Sequence, residues 1–365
     1  MNHPHAQQAY PTGTPVEELD TPAVVVDLDI MEANIRKMQQ YCDDHGIALR
    51  VHVKTHKIPA LGELQRAAGA RGISCQKLGE AEVFADAGFD DIFIPYNIVG
   101  PAKLARLMAL QARARVSVAA DSAAVVEGLA EAASAARCRV PVLIECDTGM
   151  GRTGVQTPAQ AADLARIIDA APALEFAGLM TFPTHMEHTP PFLEEALHLL
   201  EAAGIAVPMV SGGGTPQAWR THEIPHINEH RAGTYIYNDA NTVAWGTCTV
   251  EECAMRIRAT VVSRPTPERA ILDSGSKTLS ADRLHGQHAS FGILPAYPGA
   301  VIYGYSEEHG NVDLSACEAR PTVGEVVEVI PNHCCMVSNL HDVIYGVRGG
   351  RVEQVWPVAA RGLVR

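Results

Sequence analysis

The chain has no run of basic residues, no framework of paired cysteines and no apolar stretch of about 18 residues. Each absence removes a class of function. A nucleic-acid partner calls for a basic face, whereas the formal net charge is −13. A membrane-spanning helix needs the apolar run that is missing. Met1 to Asp20 is polar and contains proline, without the apolar core of a secretory signal, so a cytoplasmic location is expected. The nine cysteines are scattered singly except for Cys334-Cys335, an odd count that suits reduced thiols. What remains is ordinary globular composition, 47% hydrophobic and 19% charged over 365 residues. That length accommodates one barrel of about 250 residues and a smaller domain.

Short apolar, β-rich runs recur at 23–28, 48–54, 72–76, 91–96, 115–120, 140–146, 174–182 and 206–210. Between them, 30–42, 101–112, 122–136, 158–170 and 192–203 have helical spacing or helix-forming composition. Such alternation implies parallel strand–helix–strand units, and eight of them predict an α/β fold with a TIM-type (β/α)8 barrel. A doubly wound sheet is the alternative. After residue 245 the pattern changes to strand-like runs at 256–263, 269–273, 300–305 and 324–330, broken by Pro and Gly. The expected organisation is an N-terminal arm over 1–20 packing with the β-domain, a barrel over 21–245 and a β-rich domain over 246–365.

In a barrel, chemistry sits at the C-terminal ends of the strands. The run ending Arg50-Val-His52-Val-Lys54 alternates so that Arg50, His52 and Lys54 share a face, which predicts an inward polar face leading to a lysine. Burial beside cationic neighbours makes such an amine nucleophilic enough for a Schiff base. An exposed edge strand is the competing reading. Other strand ends are polar as well: Ser74-Cys75-Gln76-Lys77, Tyr96-Asn97, and Glu145-Cys146-Asp147 followed by Gly149-Met150-Gly151-Arg152-Thr153-Gly154. Ser211-Gly212-Gly213-Gly214-Thr215 after the last strand lets backbone N–H groups approach an anion, in the usual place for a barrel phosphate site. A phosphate cradle and a Schiff-base lysine together point to pyridoxal phosphate. Arg152 is then the candidate partner of the pyridine nitrogen, a permanent cation that keeps this nitrogen unprotonated.

With these motifs in view, the chain resembles the D-threonine aldolase and D-serine dehydratase family of pyridoxal enzymes, which share the alanine racemase-like barrel of fold type III. The resemblance covers nearly the whole chain. It rests on Thr21-Pro22-Ala-Val-Val-Val-Asp27, His52-Val-Lys54-Thr-His-Lys57, Cys75-Gln76-Lys-Leu-Gly-Glu80, Gly149 to Gly154, Ser211 to Thr215, and Arg231-Ala-Gly233-Thr-Tyr235-Ile-Tyr237-Asn-Asp239. It implies that pyridoxal 5'-phosphate is attached to Lys54. Arg152 then faces the pyridine nitrogen, and Ser211, Gly212, Gly213, Gly214 and Thr215 hold the phosphate together with Tyr237. Gln76 lies near the phenolic oxygen or the substrate. A homodimer is implied too. Independently of the resemblance, His52 and His56 flank the lysine in sequence and are expected to tune it.

In Pro331-Asn-His333-Cys334-Cys335, alternation along a strand puts His333 and Cys335 on one side, as a pair of metal ligands or a buried structural pair. The resemblance favours a divalent metal there; the thiolate favours zinc, with manganese or magnesium as alternatives. The same resemblance makes the substrate a D-3-hydroxy amino acid. His188, and secondarily His185, is the candidate base for its β-hydroxyl proton. Here the chain departs from the family pattern, because strand seven ends Thr181-Phe182-Pro183-Thr184. Asp273 to Asp282 resembles another family segment near the active site, to which no chemistry is assigned beyond support. The expected reaction is retro-aldol cleavage to glycine and an aldehyde. The alternatives are dehydration to a 2-oxo acid and ammonia, and a non-catalytic pyridoxal phosphate carrier.

Overall fold

The computed structural model describes residues 9–182, 185–284 and 290–365. The first eight residues of the expected N-terminal arm, and Pro183 and Thr184, lie outside the described residues. The chain divides into two compact units. One comprises Lys37–Lys54, Leu61–Gly233 and Leu363–Arg365; the other comprises Met1–Arg36, Thr55–Ala60 and Thr234–Gly362.

The strand β1 (Ala23–Asp27) belongs to the second unit. The first unit is a closed barrel of β2 (Ala48–His52), β3 (Gly72–Ser74), β4 (Asp91–Asn97), β5 (Arg115–Ala120), β6 (Val140–Cys146), β7 (Leu174–Thr181), β8 (Val210–Gly212) and β9 (Glu229–His230). Every neighbouring pair is parallel, including β9 with β2 at the seam. The intervening helices form for local reasons. Over Pro158–Asp169, Thr157 and Gln160 make a reciprocal capping box with proline at the first position, and Ala161, Leu164, Ala165 and Ile168 recur at helical spacing as the buried face. Truncating Leu164 to alanine there costs about 2–5 kcal/mol.

The barrel is filled in two ways. Phe93, Ala119, Leu143 and Met180, from β4, β5, β6 and β7, pack as one apolar cluster. Across β8, β9 and β2 the filling is ionic: buried Arg50 pairs with Glu229 at 2.7 Å and with Asp91 at 2.8 Å. Glu229 Oε1 also accepts from Ser211 Oγ at 2.7 Å.

The second unit is built on a nine-stranded sheet of β1, β10 (Met255–Thr266), β11 (Arg269–Leu272), β12 (Gly292–Ile293), β13 (Val301–Tyr305), β14 (Gly310–Asp313), β15 (Val326–Pro331), β16 (Val343–Arg348) and β17 (Arg351–Pro357). β1 lies between β10, antiparallel, and β16, parallel.

The eight barrel strands are therefore not the eight read from periodicity. The apolar run at 23–28 satisfies strands more than 200 residues away, and the barrel is closed instead by Glu229–His230. The run at 206–210 becomes a strand only at Val210–Gly212. The compact units interleave along the chain, since the segments before Lys37 and after Gly233 both belong to the sheet unit. Among the described residues, no helix is long and apolar enough to cross a membrane.

Candidate active site

β2 ends at His52, and Val53–Thr55 turns into one 3-10 turn that carries Lys54. Lys54 thus leaves the strand before alternation can aim it, and it is half-buried. Arg50, expected on the same polar face, is sealed into its ion pairs with Glu229 and Asp91 and is not a cofactor-facing group. His52 is buried, with Nε2 3.1 Å from Gln76 Oε1. Burial, then the charges of Lys54 and Arg231, hold this imidazole well below its ordinary pKa, so it is neutral at pH 7. Gln76 is set in place by Glu80, whose carboxylate accepts from the Gln76 and Lys77 N–H groups at 2.6 and 3.1 Å.

At the end of β8, Ser211 Oγ accepts from Arg231 Nε at 2.8 Å, while the second arm of that guanidinium donates to the Thr181 carbonyl at 2.7 Å. Arg231 is fully enclosed; burial brings it down to about 10, which still leaves it charged near neutrality. The glycines that follow are demanded by space: a Cβ on Gly214 would lie 2.8 Å from the Phe182 ring. His52 Nδ1, Ser74 Oγ and Thr215 Oγ1 are buried without a hydrogen-bond partner in the protein. Left-over polar atoms at the C-terminal ends of barrel strands, one of them on the glycine-rich turn, fit a ligand with a phosphate and ring heteroatoms.

The loop after β6 winds around Asp147, whose carboxylate accepts from the N–H groups of Gly149, Met150 and Gly151 at 2.8–3.2 Å. These bonds outweigh desolvation and hold the Asp147 carboxyl below its usual range. Arg152 projects from this loop, half-exposed, 3.8 Å from Glu145 and 5.5 Å over the Phe182 ring. Glu145 is buried, which raises its pKa against the opposing hydroxyl of Thr153 and charge of Arg152. His185 and His188 sit with ring centroids 6.1 Å apart, and a Cβ on Gly149 would lie 3.0 Å from the His185 ring. Thr189 accepts from the His185 N–H at 2.9 Å, and its hydroxyl donates to Thr148 at 2.9 Å. Both candidate bases therefore stand beside the loop that carries Arg152.

In the sheet unit, β15 stops at Pro331 and a helix runs over Cys334–Leu340 with His333 at its N-cap. Strand alternation is thus not what relates His333 to Cys335; the helix start does so. His333 Nδ1 is 2.6 Å from Asp282 Oδ2, and Cys335 Sγ is 3.3 Å from Thr55 Oγ1. Burial works against a charged imidazole here, but Cys335, Asp239 and Asp282 prevail and carry His333 up to about 10. Asp239, raised by burial to about 6, accepts from the Cys334 N–H at 3.1 Å. Tyr237 is buried with its hydroxyl unpartnered, and burial pushes the phenol well above its usual value.

Among the described residues, no group of three or more His, Cys, Asp and Glu side chains is arranged to hold a metal ion. The donors at His333 and Cys335 nevertheless fit one in kind: a thiol, and an imidazole whose other nitrogen is held by a carboxylate, the usual orientation of a ligating histidine. Arg231 and Asp282 are the functional groups to which the sequence reading gave no role of their own. Both lie in segments already noted, and their partners, Ser211 and His333, are the missing signal.

Comparison with known proteins divides the chain between residues 241 and 254 rather than along the compact units. Residues 26–241 match the model of the alanine racemase N-terminal domain, and residues 254–347 match that of a putative serine dehydratase domain. The chain is 38% identical to the D-threonine aldolase of an Arthrobacter species, over 97% of this chain and 96% of that protein. It is 34% identical to the D-threo-3-hydroxyaspartate dehydratase of a Delftia species, over 93% and 97% of the respective chains. The crystal structure of a D-threonine aldolase from Filomicrobium marinum superposes with a TM-score of 0.90 at 32% identity, covering 98% of this chain and all of that one.

Proposed function

Because this chain belongs to the family that joins an alanine racemase-like, fold type III barrel to a serine dehydratase domain, and its relatives are lyases, we propose that it cleaves a D-3-hydroxy amino acid by retro-aldol reaction, giving glycine and an aldehyde. The observation that carries this reading is the half-buried Lys54 in the turn after β2, beside the neutral His52.

Pyridoxal phosphate bound at Lys54 supplies an electron sink for the charge left on Cα when the neighbouring bond breaks. The chain's own residues do the rest. His52, uncharged, packs beside the lysine without competing for its proton, and Gln76 fixes that imidazole through Nε2. Gly212 to Thr215 would offer N–H groups and a hydroxyl to the phosphate, and Arg152 would serve the pyridine nitrogen. His188, or His185 beside it, removes the β-hydroxyl proton, which the cleavage of Cα–Cβ requires. His333 and Cys335 would hold a divalent metal, zinc by the softness of the thiolate, which would supply Lewis-acid chemistry toward a hydroxyl. Asp282 holds the imidazole of His333 in the ligating orientation. Homodimer formation completes the reading.

Dehydration is the second reading, favoured by the similarity to a dehydratase along the full chain. Product analysis separates the two. Metal-replete enzyme is incubated with D-threonine, D-serine and D-threo-3-hydroxyaspartate, and glycine plus aldehyde is measured against 2-oxo acid plus ammonia. Glycine and aldehyde are expected. A 2-oxo acid with ammonia transfers the assignment to dehydration, and neither product from any of the three overturns both.

A further inference from the structure

The glycine-rich turn does not hold its own shape. Gly212 on β8 is paired with His230 on β9, and Gly213 then bends the chain with φ +76°. A Cβ on Gly213 would fall 2.2 Å from His230 Nδ1 and 2.9 Å from Thr221 Oγ1. The turn is therefore pressed directly onto a histidine that is completely buried.

His230 Nδ1 is 3.0 Å from Thr221 Oγ1, and the same hydroxyl donates to the Gln217 carbonyl at 3.3 Å. One hydroxyl proton serves one acceptor, so with that proton on Gln217 the ring donates from Nδ1. Thr221 stands on the 3-10 segment Thr215–Glu223, the continuation of the turn. The far end of this segment is fastened where the His222 N–H donates to Tyr41 Oη at 3.1 Å. Thus the imidazole touches the turn at Gly213 and bonds to the segment that leaves it.

We infer that His230 is the positioning residue of this anion-binding turn: a neutral imidazole beneath Gly213 that, with Thr221, fixes the direction of the turn's N–H groups toward a phosphate. Burial, reinforced by the adjacent Arg231, pushes the imidazole down to about 3, so it stays uncharged across the working pH range. An uncharged group here shapes the turn without drawing the anion down onto itself. The inference rests on the proposed pyridoxal phosphate site, and it explains why a phosphate loop is backed by a ring rather than by a lysine.

The test compares two probes, pyridoxal phosphate and pyridoxal, titrated by absorbance into apo-enzyme. In His230→Ala, affinity for pyridoxal phosphate falls about tenfold, while affinity for pyridoxal, which lacks the phosphate, changes by less than about twofold. His230→Asn keeps a nitrogen donor where Nδ1 stands and restores most of the loss. The ³¹P resonance of the bound phosphate shifts in the alanine variant and returns in the asparagine one. Equal losses for both probes, or none, overturn the inference. Should His230→Ala fail to fold, Thr221→Val removes the same bond with little change of shape and is judged by the same criteria. Wild-type enzyme that takes up neither probe overturns the underlying cofactor reading instead, a result distinct from any variant's behaviour.

Discussion

Near the C-terminal ends of β2, β3 and β8, buried polar atoms are left over: His52 Nδ1, Ser74 Oγ and Thr215 Oγ1 lack partners in the protein. Around His333 the candidate ligand groups are held by the protein, with imidazole on Asp282, thiol on Thr55 and Asp239 on the Cys334 N–H, although the buried Tyr237 hydroxyl and Asn332 Oδ1 are left over. The first arrangement suits a large ligand that brings its own donors and acceptors. The second suits a small ion that must compete with protons for the same lone pairs, so loading it is linked to pH. One region waits on shape, the other on charge.

The strongest way to break that contrast is Lys54→Ala. Turnover is expected to fall to background, and the visible absorbance of the bound cofactor to vanish, while metal content measured by elemental analysis stays at the wild-type level. Loss of metal along with the cofactor would show that the two regions do not load independently.

Next in size is Glu229→Gln, which strikes the ionic wall of the barrel. Arg50 keeps Asp91 but loses its fully buried partner, and removing one member of a buried pair costs about 3–5 kcal/mol. Urea denaturation should show this as an early transition of the barrel unit; a midpoint unchanged from wild type would mean Asp91 alone suffices.

Asp282→Asn sharpens the contrast from the other side. Loss of the carboxylate behind a ligating imidazole lowers metal affinity roughly 10–100-fold. Competition with a chelator measures it, and pyridoxal phosphate affinity is expected to be unaffected.

The smallest effects are in pH. His52 and His230 are held below the ordinary imidazole value, so below about 6.5 the unfolded chain takes up protons that the native state refuses. Stability of the barrel unit therefore falls as pH drops from about 6.5 toward 3, by at most about 1.4 kcal/mol per pH unit for each group. His333 runs the other way. In metal-free enzyme its folded value is raised to about 10, so its contribution is complete below about 6.5 and disappears as pH climbs through 10. Urea midpoints at pH 4, 5.5, 7 and 9 should show an acid limb that His230→Asn shortens and an alkaline limb that it leaves alone.

The helices and most barrel strands were legible because their signals are local: apolar runs bounded by turns, and buried faces at helical spacing such as Ala161 to Ile168. Partnership was not legible. Nothing within Ala23–Asp27 distinguishes a barrel strand from the middle of a sheet formed with residues beyond 250. β9 could not be seen at all, because two residues, one charged, make no periodic pattern. In the site, Lys54 stood out as a lysine in an apolar run, and the glycines stood out by composition. Arg50 misled because its neutralising carboxylates, Glu229 and Asp91, are remote in sequence. His333 and Cys335 were paired on a premise of strand geometry that the helix beginning at Cys334 replaces.

The barrel's seam is two residues long, and both are occupied elsewhere: Glu229 neutralises Arg50 and holds Ser211, and His230 lies under Gly213. Closure and ligand geometry thus share the same two side chains. Any attempt to retune this enzyme for another substrate should leave that seam untouched.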